Sequence, residues 1–75
     1  MPHTGHMTDV AIGSDGIRLG QFLKYVGAVP TGGEVKWLLE SGEVTVNGSI
    51  EIQRGRQLAT GDTVAAHGQS WTLTT

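Results

Sequence analysis

The chain has 75 residues, of which 37% are hydrophobic and 16% are charged, a composition typical of one small folded domain. It contains no cysteine, which excludes disulfide bonds and thiolate metal sites. No apolar run approaches the roughly 20 residues that cross a bilayer, and residues 1–7 lack the apolar stretch of a secretory signal. A cytoplasmic protein without a membrane partner is therefore expected.

The formal net charge is −2, but the charges are unevenly distributed. All five cations lie between residues 18 and 56 together with four acids, so this stretch carries +1. Three aspartates outside it, Asp9, Asp15 and Asp62, contribute −3. Such a stretch is compatible with a weak basic patch and equally with ordinary solvated surface charges.

The N-terminal segment shows no periodicity. Residues 1–7 are expected to form a flexible tail, followed by a single domain over residues 8–75. His3 and His6 lie in this tail, where a flexible chain would hold no metal geometry. A short first strand is predicted over residues 8–12, ended by a cluster of turn-forming residues.

A first amphipathic helix is predicted from about residue 17. Its apolar stripe has the spacing i, i+3, i+4 and i+7 and comprises Leu19, Phe22, Leu23 and Val26. Gly27 is expected to end the helix, because glycine adopts the left-handed closing conformation without strain. Lys24 projects from the face opposite the stripe, with Arg18 and Tyr25 on its flanks.

A second helix is predicted between Thr31 and Gly42. Its start, Thr31-Gly32-Gly33-Glu34, matches a capping box in which the threonine hydroxyl and the glutamate carboxylate accept from backbone amides. Its inward stripe comprises Val35, Leu38 and Leu39. Trp37 points away from that stripe. Either the N-terminal strand or the C-terminal residues cover its indole, or the indole is a surface for stacking or for a partner.

The following residues have a period of two, which predicts a β-hairpin. Val44 and Val46 alternate with polar residues, Asn47-Gly48 supplies the tight turn, and Ile50 and Ile52 form the inward side of the next strand. Further short strands are predicted towards the C-terminus. The expected fold class is α+β, with two helices packed on one face of a small, mostly antiparallel sheet.

Two arginines follow the hairpin. Arg54 and Arg56 share the parity of the two isoleucines, so an uninterrupted strand would bury both guanidiniums without partners, at prohibitive cost. Regular extension is therefore predicted to break between Gln53 and Gly55, which turns the arginines to solvent.

The second helix and the segment around Arg54-Gly55-Arg56, which we call the arginine loop, together predict an anion-binding surface. The absence of side chains at Gly32 and Gly33 would let a phosphate approach the amides at the helix start. Lys36 lies just over one turn inside the helix, and Arg54 and Arg56 can each bind a phosphate through two parallel hydrogen bonds. Two solvated loop arginines without a ligand are the alternative interpretation.

Catalysis has little support in the sequence. There is no cysteine nucleophile, and His67 is the single histidine of the predicted folded region. His67 could pair with Asp62 and Ser70, but their spacing does not require it, and a surface histidine in a strand or turn is the simpler interpretation. We expect no catalytic residue, no metal and no cofactor.

Several motifs, in their order along the chain, resemble the S4 RNA-binding domain family. They are Ile17-Arg18-Leu19, Phe22-Leu23, Gly27, Thr31, Leu38-Leu39, Gly42-Glu43-Val44-Thr45-Val46-Asn47-Gly48 and Gly61-Asp62-Thr63-Val64. Thr31-Gly32-Gly33-Glu34 together with Arg54-Gly55-Arg56 is similar to the small stand-alone bacterial S4-like proteins. The resemblance covers about residues 17 to 65.

The resemblance implies an S4-like (αL) fold and a non-catalytic module that recognises structured RNA through phosphate and shape. RNA would bind along the second helix and its adjoining loops. The implied RNA-binding residues are Arg18, Thr31, Gly33, Lys36, Asn47, Arg54 and Arg56. Gly20 stands where the family pattern often has an acid. Gly32 stands where it often has an arginine, so the two loop arginines are expected to carry more of the charge.

The expected partner is structured RNA, with ribosomal and transfer RNA as candidates and association with the ribosome as a further expectation. The alternative is a protein–protein interaction domain that retains the S4-like shape without strong RNA affinity. The acidic net charge and an exposed Trp37 would favour that alternative.

Overall fold

The computed structural model describes residues 6–75 of the chain. In chain order the elements are β1 (His6–Ala11), β2 (Ile17–Arg18), α1 (Leu19–Tyr25), α2 (Gly33–Glu40), β3 (Thr45–Val46), β4 (Ser49–Ile50), β5 (Gln57–Leu58), β6 (Thr63–Ala66) and β7 (Gln69–Thr74). The first strand thus begins two residues before its predicted start at residue 8, and residues 1–5 of the predicted tail lie outside the described residues. Neither of the two described helices has the length and apolar character needed to span a membrane.

The main sheet has five strands in the order β1-β7-β6-β3-β4. The β1–β7 pair is parallel, and the other three pairs are antiparallel. A second, two-stranded antiparallel ladder joins β2 to β5. The prediction of an α+β fold with a small, mostly antiparallel sheet is therefore confirmed.

Both helices bury their predicted stripes in the core, except that Val26 is the cap residue after α1 and is only half-buried. The buried core draws on α1, α2 and the inner faces of β3, β6 and β7, and its largest members are Phe22, Leu19, Leu23, Leu38, Leu39, Leu58, Leu73, Val44, Val46 and Val64. The rings of Phe22 and Trp71 meet edge to face at a centroid distance of 6.0 Å, which joins α1 to β7. Apolar burial on this scale is what holds so short a chain together.

The first helix is shorter at its start than the periodicity predicted. Residues Ile17–Arg18 are extended and pair with β5, so α1 begins at Leu19. Its end is as predicted: Gly27 has a φ of 80°, and the Ala28 amide donates to the Leu23 carbonyl oxygen at 2.9 Å.

The predicted capping box of α2 is wrong. The helix begins at Gly33, Gly32 is the cap residue with a φ of −62°, and no side chain caps it. Backbone turns satisfy the first amides instead, with Glu34 donating to the Thr31 carbonyl oxygen at 3.2 Å. Because the helix starts two residues after Thr31, that threonine hydroxyl lies one position too early to act as the cap.

The inward orientation predicted for Ile50 and Ile52 is also wrong, since their side chains are 66% and 62% exposed. β4 is a two-residue strand at the sheet edge. Ile50 pairs with Thr45, whose side chain lies on the face of β3 opposite the buried Val46. β4 ends at Ile50, so regular extension stops three residues earlier than the predicted break between Gln53 and Gly55. The predicted exposure of the arginines is confirmed, because residues 51–56 form a loop in which Arg54 and Arg56 are both exposed.

The predicted cover over Trp37 is absent from the described part of the chain. Its side chain is 70% exposed. β1 and the C-terminal strand β7 pair with each other in the main sheet and leave the outer face of α2 open.

Candidate nucleic-acid interface

The arginine loop is fixed to the start of α1 through the backbone. The Leu19 amide donates to the Arg56 carbonyl oxygen at 2.8 Å, and the Gly20 amide donates to the Arg54 carbonyl oxygen at 2.9 Å. The first amides of a helix have no partner within the helix, so the loop carbonyls satisfy two groups that would otherwise need water. The loop is therefore docked directly on the start of α1.

Gly20 allows the loop to approach the helix this closely. A Cβ atom added at Gly20 would lie 3.2 Å from the Arg54 Cβ atom, 3.4 Å from its carbonyl oxygen and 3.4 Å from the Val35 Cγ1 atom. Any larger side chain would therefore push on the loop and on α2 at once. Gly20 thus leaves room for Arg54 beside α1 and α2.

A groove opens between the two helices and the loop. We call it the cationic groove; its volume is about 390 Å³, and it is lined by Arg18, Gly20, Gln21, Lys24, Gly32, Val35, Arg54 and Gly55. It thus combines the last residue before α1, the exposed side of α1, the cap residue of α2 and the arginine loop. Three glycines keep its walls low, which would let a ligand approach the backbone closely.

Three cations line the groove: Arg18, Lys24 and Arg54. Within residues 6–75, none of the three forms an ion pair. No acidic side chain among residues 6–75 lines the groove. Unpaired cations that converge on one concave surface raise the local concentration of anions.

Arg56 differs from these three because it is already paired. Its Nη1 atom donates to the Glu51 Oε1 atom at 2.8 Å, and it does not line the groove. This hydrogen bond, followed by one from the Gln53 amide, lowers the pKa of the Glu51 carboxyl below its ordinary value. The two arginines that the sequence presents as equivalent are therefore a free cation and a partnered one.

The residues predicted on α2 lie beside the groove rather than in it. Thr31, Gly33 and Lys36 are exposed near the start of the helix, and the adjacent cap residue Gly32 is the one that lines the groove. Lys36 makes no ion pair with Glu40 or with any other acid in the described part of the chain. It remains a cation available one turn into α2.

Asn47 lies apart from these residues, in the β3–β4 turn. Its amide nitrogen donates to the Asp62 Oδ1 atom at 3.1 Å, and its side-chain oxygen accepts from the Thr63 amide at 2.9 Å. Its φ of 53° is one that asparagine tolerates better than most residues. The structure thus uses both ends of this side chain to tie two turns together.

Sequence reasoning missed Lys24 as a site residue, as well as the role of Gly20. The signal for Lys24 was present: Arg18, Gln21 and Lys24 recur at intervals of three, which places them along one side of the chain at the start of α1. No sequence signal showed that this side would face the arginine loop, because that contact depends on the β2–β5 pairing.

Within residues 6–75, His67, Asp62 and Ser70 form no hydrogen bonds with one another that would support a catalytic site. His67 lies exposed in the β6–β7 turn with its Nδ1 atom 3.4 Å from the Glu43 Oε1 atom, while Asp62 is bonded to Asn47 and to the Ala59 amide. Among the described residues, no three histidine or acidic side chains are grouped so as to hold a metal ion. What the arrangement can do is bind a polyanion.

Comparison with known proteins identifies a family and a relative that this chain resembles. Residues 10–74 match the model of the S4 domain family. The chain is also 42% identical over 59 residues to a protein of Bacillus subtilis (strain 168) described as a probable ribosome maturation protein RlbA. That alignment covers 79% of this chain and 83% of the Bacillus protein.

Proposed function

Because this chain belongs to the S4 domain family, we propose that it is a non-catalytic RNA-binding module that recognises structured RNA through phosphate and shape contacts. The observation that carries the proposal is the cationic groove, where Arg18, Lys24 and Arg54 converge without an acidic partner. Phosphate is the anion that an RNA presents in a regular array, and such contacts supply most of the affinity without sequence readout.

Within this proposal the seven predicted residues take different parts. Arg18 and Arg54 contact phosphates in the groove, and so does Lys24, which was not among the seven. Thr31, Gly33 and Lys36 lie at the start of α2, where a strand leaving the groove would pass. The remaining two also lie outside the groove: Arg56 acts through its pair with Glu51, and Asn47 shapes the neighbouring turns.

We further propose that the RNA is ribosomal and that the protein associates with the ribosome or its precursors in the cytoplasm. The support is the name of the Bacillus relative, a probable ribosome maturation protein, together with an alignment that covers most of both chains. A folded RNA suits the groove because its phosphates have a fixed spacing. The three cations are likewise held in place, on β2, on α1 and on the loop that is docked on α1.

The test is a binding titration with a fluorescently labelled RNA stem-loop, followed by anisotropy at about 50 and 200 mM salt. The variant carries Arg18→Gln, Lys24→Gln and Arg54→Gln, which remove the groove charges and leave similar side-chain volumes. We expect the variant to lose most of its affinity and its salt dependence, by about 0.9 in the slope of log K against log salt for each lost contact.

The matched control is Arg56→Gln, which removes an arginine outside the groove and is expected to keep most of the binding. Circular dichroism would establish that both variants are folded. If the triple variant bound the stem-loop with unchanged affinity and salt slope, the cationic groove would not be the RNA site.

A further inference from the structure

Trp37 is the most exposed large hydrophobic residue of the described chain. Its side chain is 70% exposed on α2, on the face opposite the buried Val35, Leu38 and Leu39. Tryptophan is on average a highly buried residue, and an indole left in water forgoes a large burial energy. None of the described residues covers this ring, so we consider a ligand as the group that contacts it.

The surroundings of Trp37 favour a nucleobase over a protein. The other exposed positions of α2 are Gly33, Glu34, Lys36 and Glu40, so the helix offers the ring no apolar neighbours. Protein interfaces bury their aromatic anchors inside a wider ring of contacts that exclude water. A nucleobase needs only one open aromatic face, because stacking uses the flat surface of the ring.

Trp37 lies on the helix that forms one wall of the cationic groove, but on another side of that helix. Gly32 lines the groove and is the cap residue of α2, and Trp37 follows five residues later, about 7.5 Å along the helix axis and about 140° around it. Lys36 lies between them and has no ion-pair partner within residues 6–75. A strand that leaves the groove at Gly32 and passes around the start of α2 would therefore meet Lys36 first and the indole of Trp37 next.

We propose that Trp37 is a stacking platform for an unpaired base of the bound RNA. This inference rests on the proposed function and specifies its ligand: a helical RNA segment with an unpaired nucleotide next to it, in a loop or a bulge. The groove holds the backbone, Lys36 contacts the phosphate that leaves it, and the indole receives the base that leaves the stack. Fully paired RNA offers no such base and uses the groove alone.

The experiment compares two RNAs that share one stem sequence: a stem-loop with an unpaired purine loop and a fully paired duplex. Binding is followed by anisotropy of labelled RNA and by the tryptophan emission of the protein. Trp71 is only 6% exposed, so stacking changes the emission chiefly through Trp37. We expect the stem-loop to quench this emission and the duplex to leave it nearly unchanged.

The variants are Trp37→Ala and Trp37→Phe. Trp37→Ala should weaken stem-loop binding about five- to hundredfold and abolish the quenching. Its affinity for the duplex should stay within about twofold of wild type, and its salt slope with either RNA should change by less than about 0.3. Trp37→Phe keeps an aromatic face and should retain most of the affinity. Ile50→Ala is the matched control, because it removes an equally exposed apolar side chain at the sheet edge.

The outcomes separate this inference from the function on which it rests. If wild type bound neither RNA in a salt-dependent manner, the proposed function would fail and the stacking platform with it. Suppose instead that wild type binds both RNAs. If Trp37→Ala had the same affinity as wild type for both RNAs, or a lower affinity by the same factor for both, the stacking role alone would be overturned. Capture of a protein by wild type but not by Trp37→Ala, with RNA binding unchanged, would assign the ring to a protein interface and also overturn it.

Discussion

The difference between Arg54 and Arg56 gives the sharpest prediction about the groove. Arg54 lines the groove without a partner, whereas Arg56 donates to Glu51 at 2.8 Å outside it. Arg54→Ala should remove one phosphate contact. Removal of Arg56 together with Glu51 deletes an internally neutral pair and leaves the net charge unchanged. The two perturbations therefore test position rather than charge count.

The expected magnitudes follow from counterion release. One lost phosphate contact lowers the slope of log K against log salt by about 0.9. Between about 50 and 200 mM salt this amounts to roughly a 3.5-fold smaller loss of affinity for Arg54→Ala than for wild type. A hydrogen bond to a charged group contributes about 1.5 kcal/mol or more, so affinity at low salt should fall roughly tenfold or further.

The assay is anisotropy of a labelled RNA stem-loop at four or five salt concentrations. The double variant Glu51→Ala with Arg56→Ala is expected to stay within twofold of wild type and to keep its slope. Both variants spare the backbone carbonyl oxygens that dock the loop on α1, so the groove keeps its shape. Unchanged binding by Arg54→Ala, together with a lower affinity and slope in the double variant, would refute the assignment of Arg54 as the free cation.

Three further predictions concern the fold that holds the groove. Phe22→Ala should lower the free energy of unfolding by about 3–5 kcal/mol, because the ring is fully buried against the core, whereas Tyr25→Ala, at an exposed site, should change it by less than about 0.5 kcal/mol; urea titrations that found equal effects would contradict this. Asn47→Gly keeps the positive φ but removes two side-chain hydrogen bonds, so it should cost about 1–3 kcal/mol in the same assay; an unchanged stability with a lower affinity for RNA would instead make Asn47 an RNA contact. The Glu51 carboxyl has a lowered folded-state pKa, so its stabilising pair with Arg56 is complete above the ordinary value of about 4.3 and is lost as pH falls through the folded pKa. Urea unfolding from pH 7 down to 3 should show a smaller acid-induced loss in Glu51→Gln than in wild type, and equal losses would contradict this assignment.

The helices were predictable because their information is local. The apolar stripe of α1 and the closing Gly27 lie within eight or nine residues, and burial follows that spacing closely. The same logic failed for Ile50 and Ile52, because alternation states which residues share a face but not whether anything covers that face. Ile50 is on β4 at the sheet edge, Ile52 is in the loop that follows, and both remain in solvent.

The site was predictable only in part. Arg54 follows from the cost of burying an unpaired charge, and Arg18 from the resemblance to a known family. The partnership of Arg56 with Glu51 is short in sequence, but it needs the loop conformation to form. Lys24 enters the groove because α1 and the arginine loop are docked together, which no local pattern specifies.

The order of residues alone determined the helix stripes, the break before the arginines and the family to which the motifs belong, since each of these depends on spacing along the chain. Only the tertiary structure decided which cations are free. The β2–β5 ladder and the close approach at Gly20 bring Arg54 between two helices, while Arg56 turns to an acid. Whether a charge binds a ligand or a neighbour depends on distances between residues far apart in sequence, and those distances are set by packing.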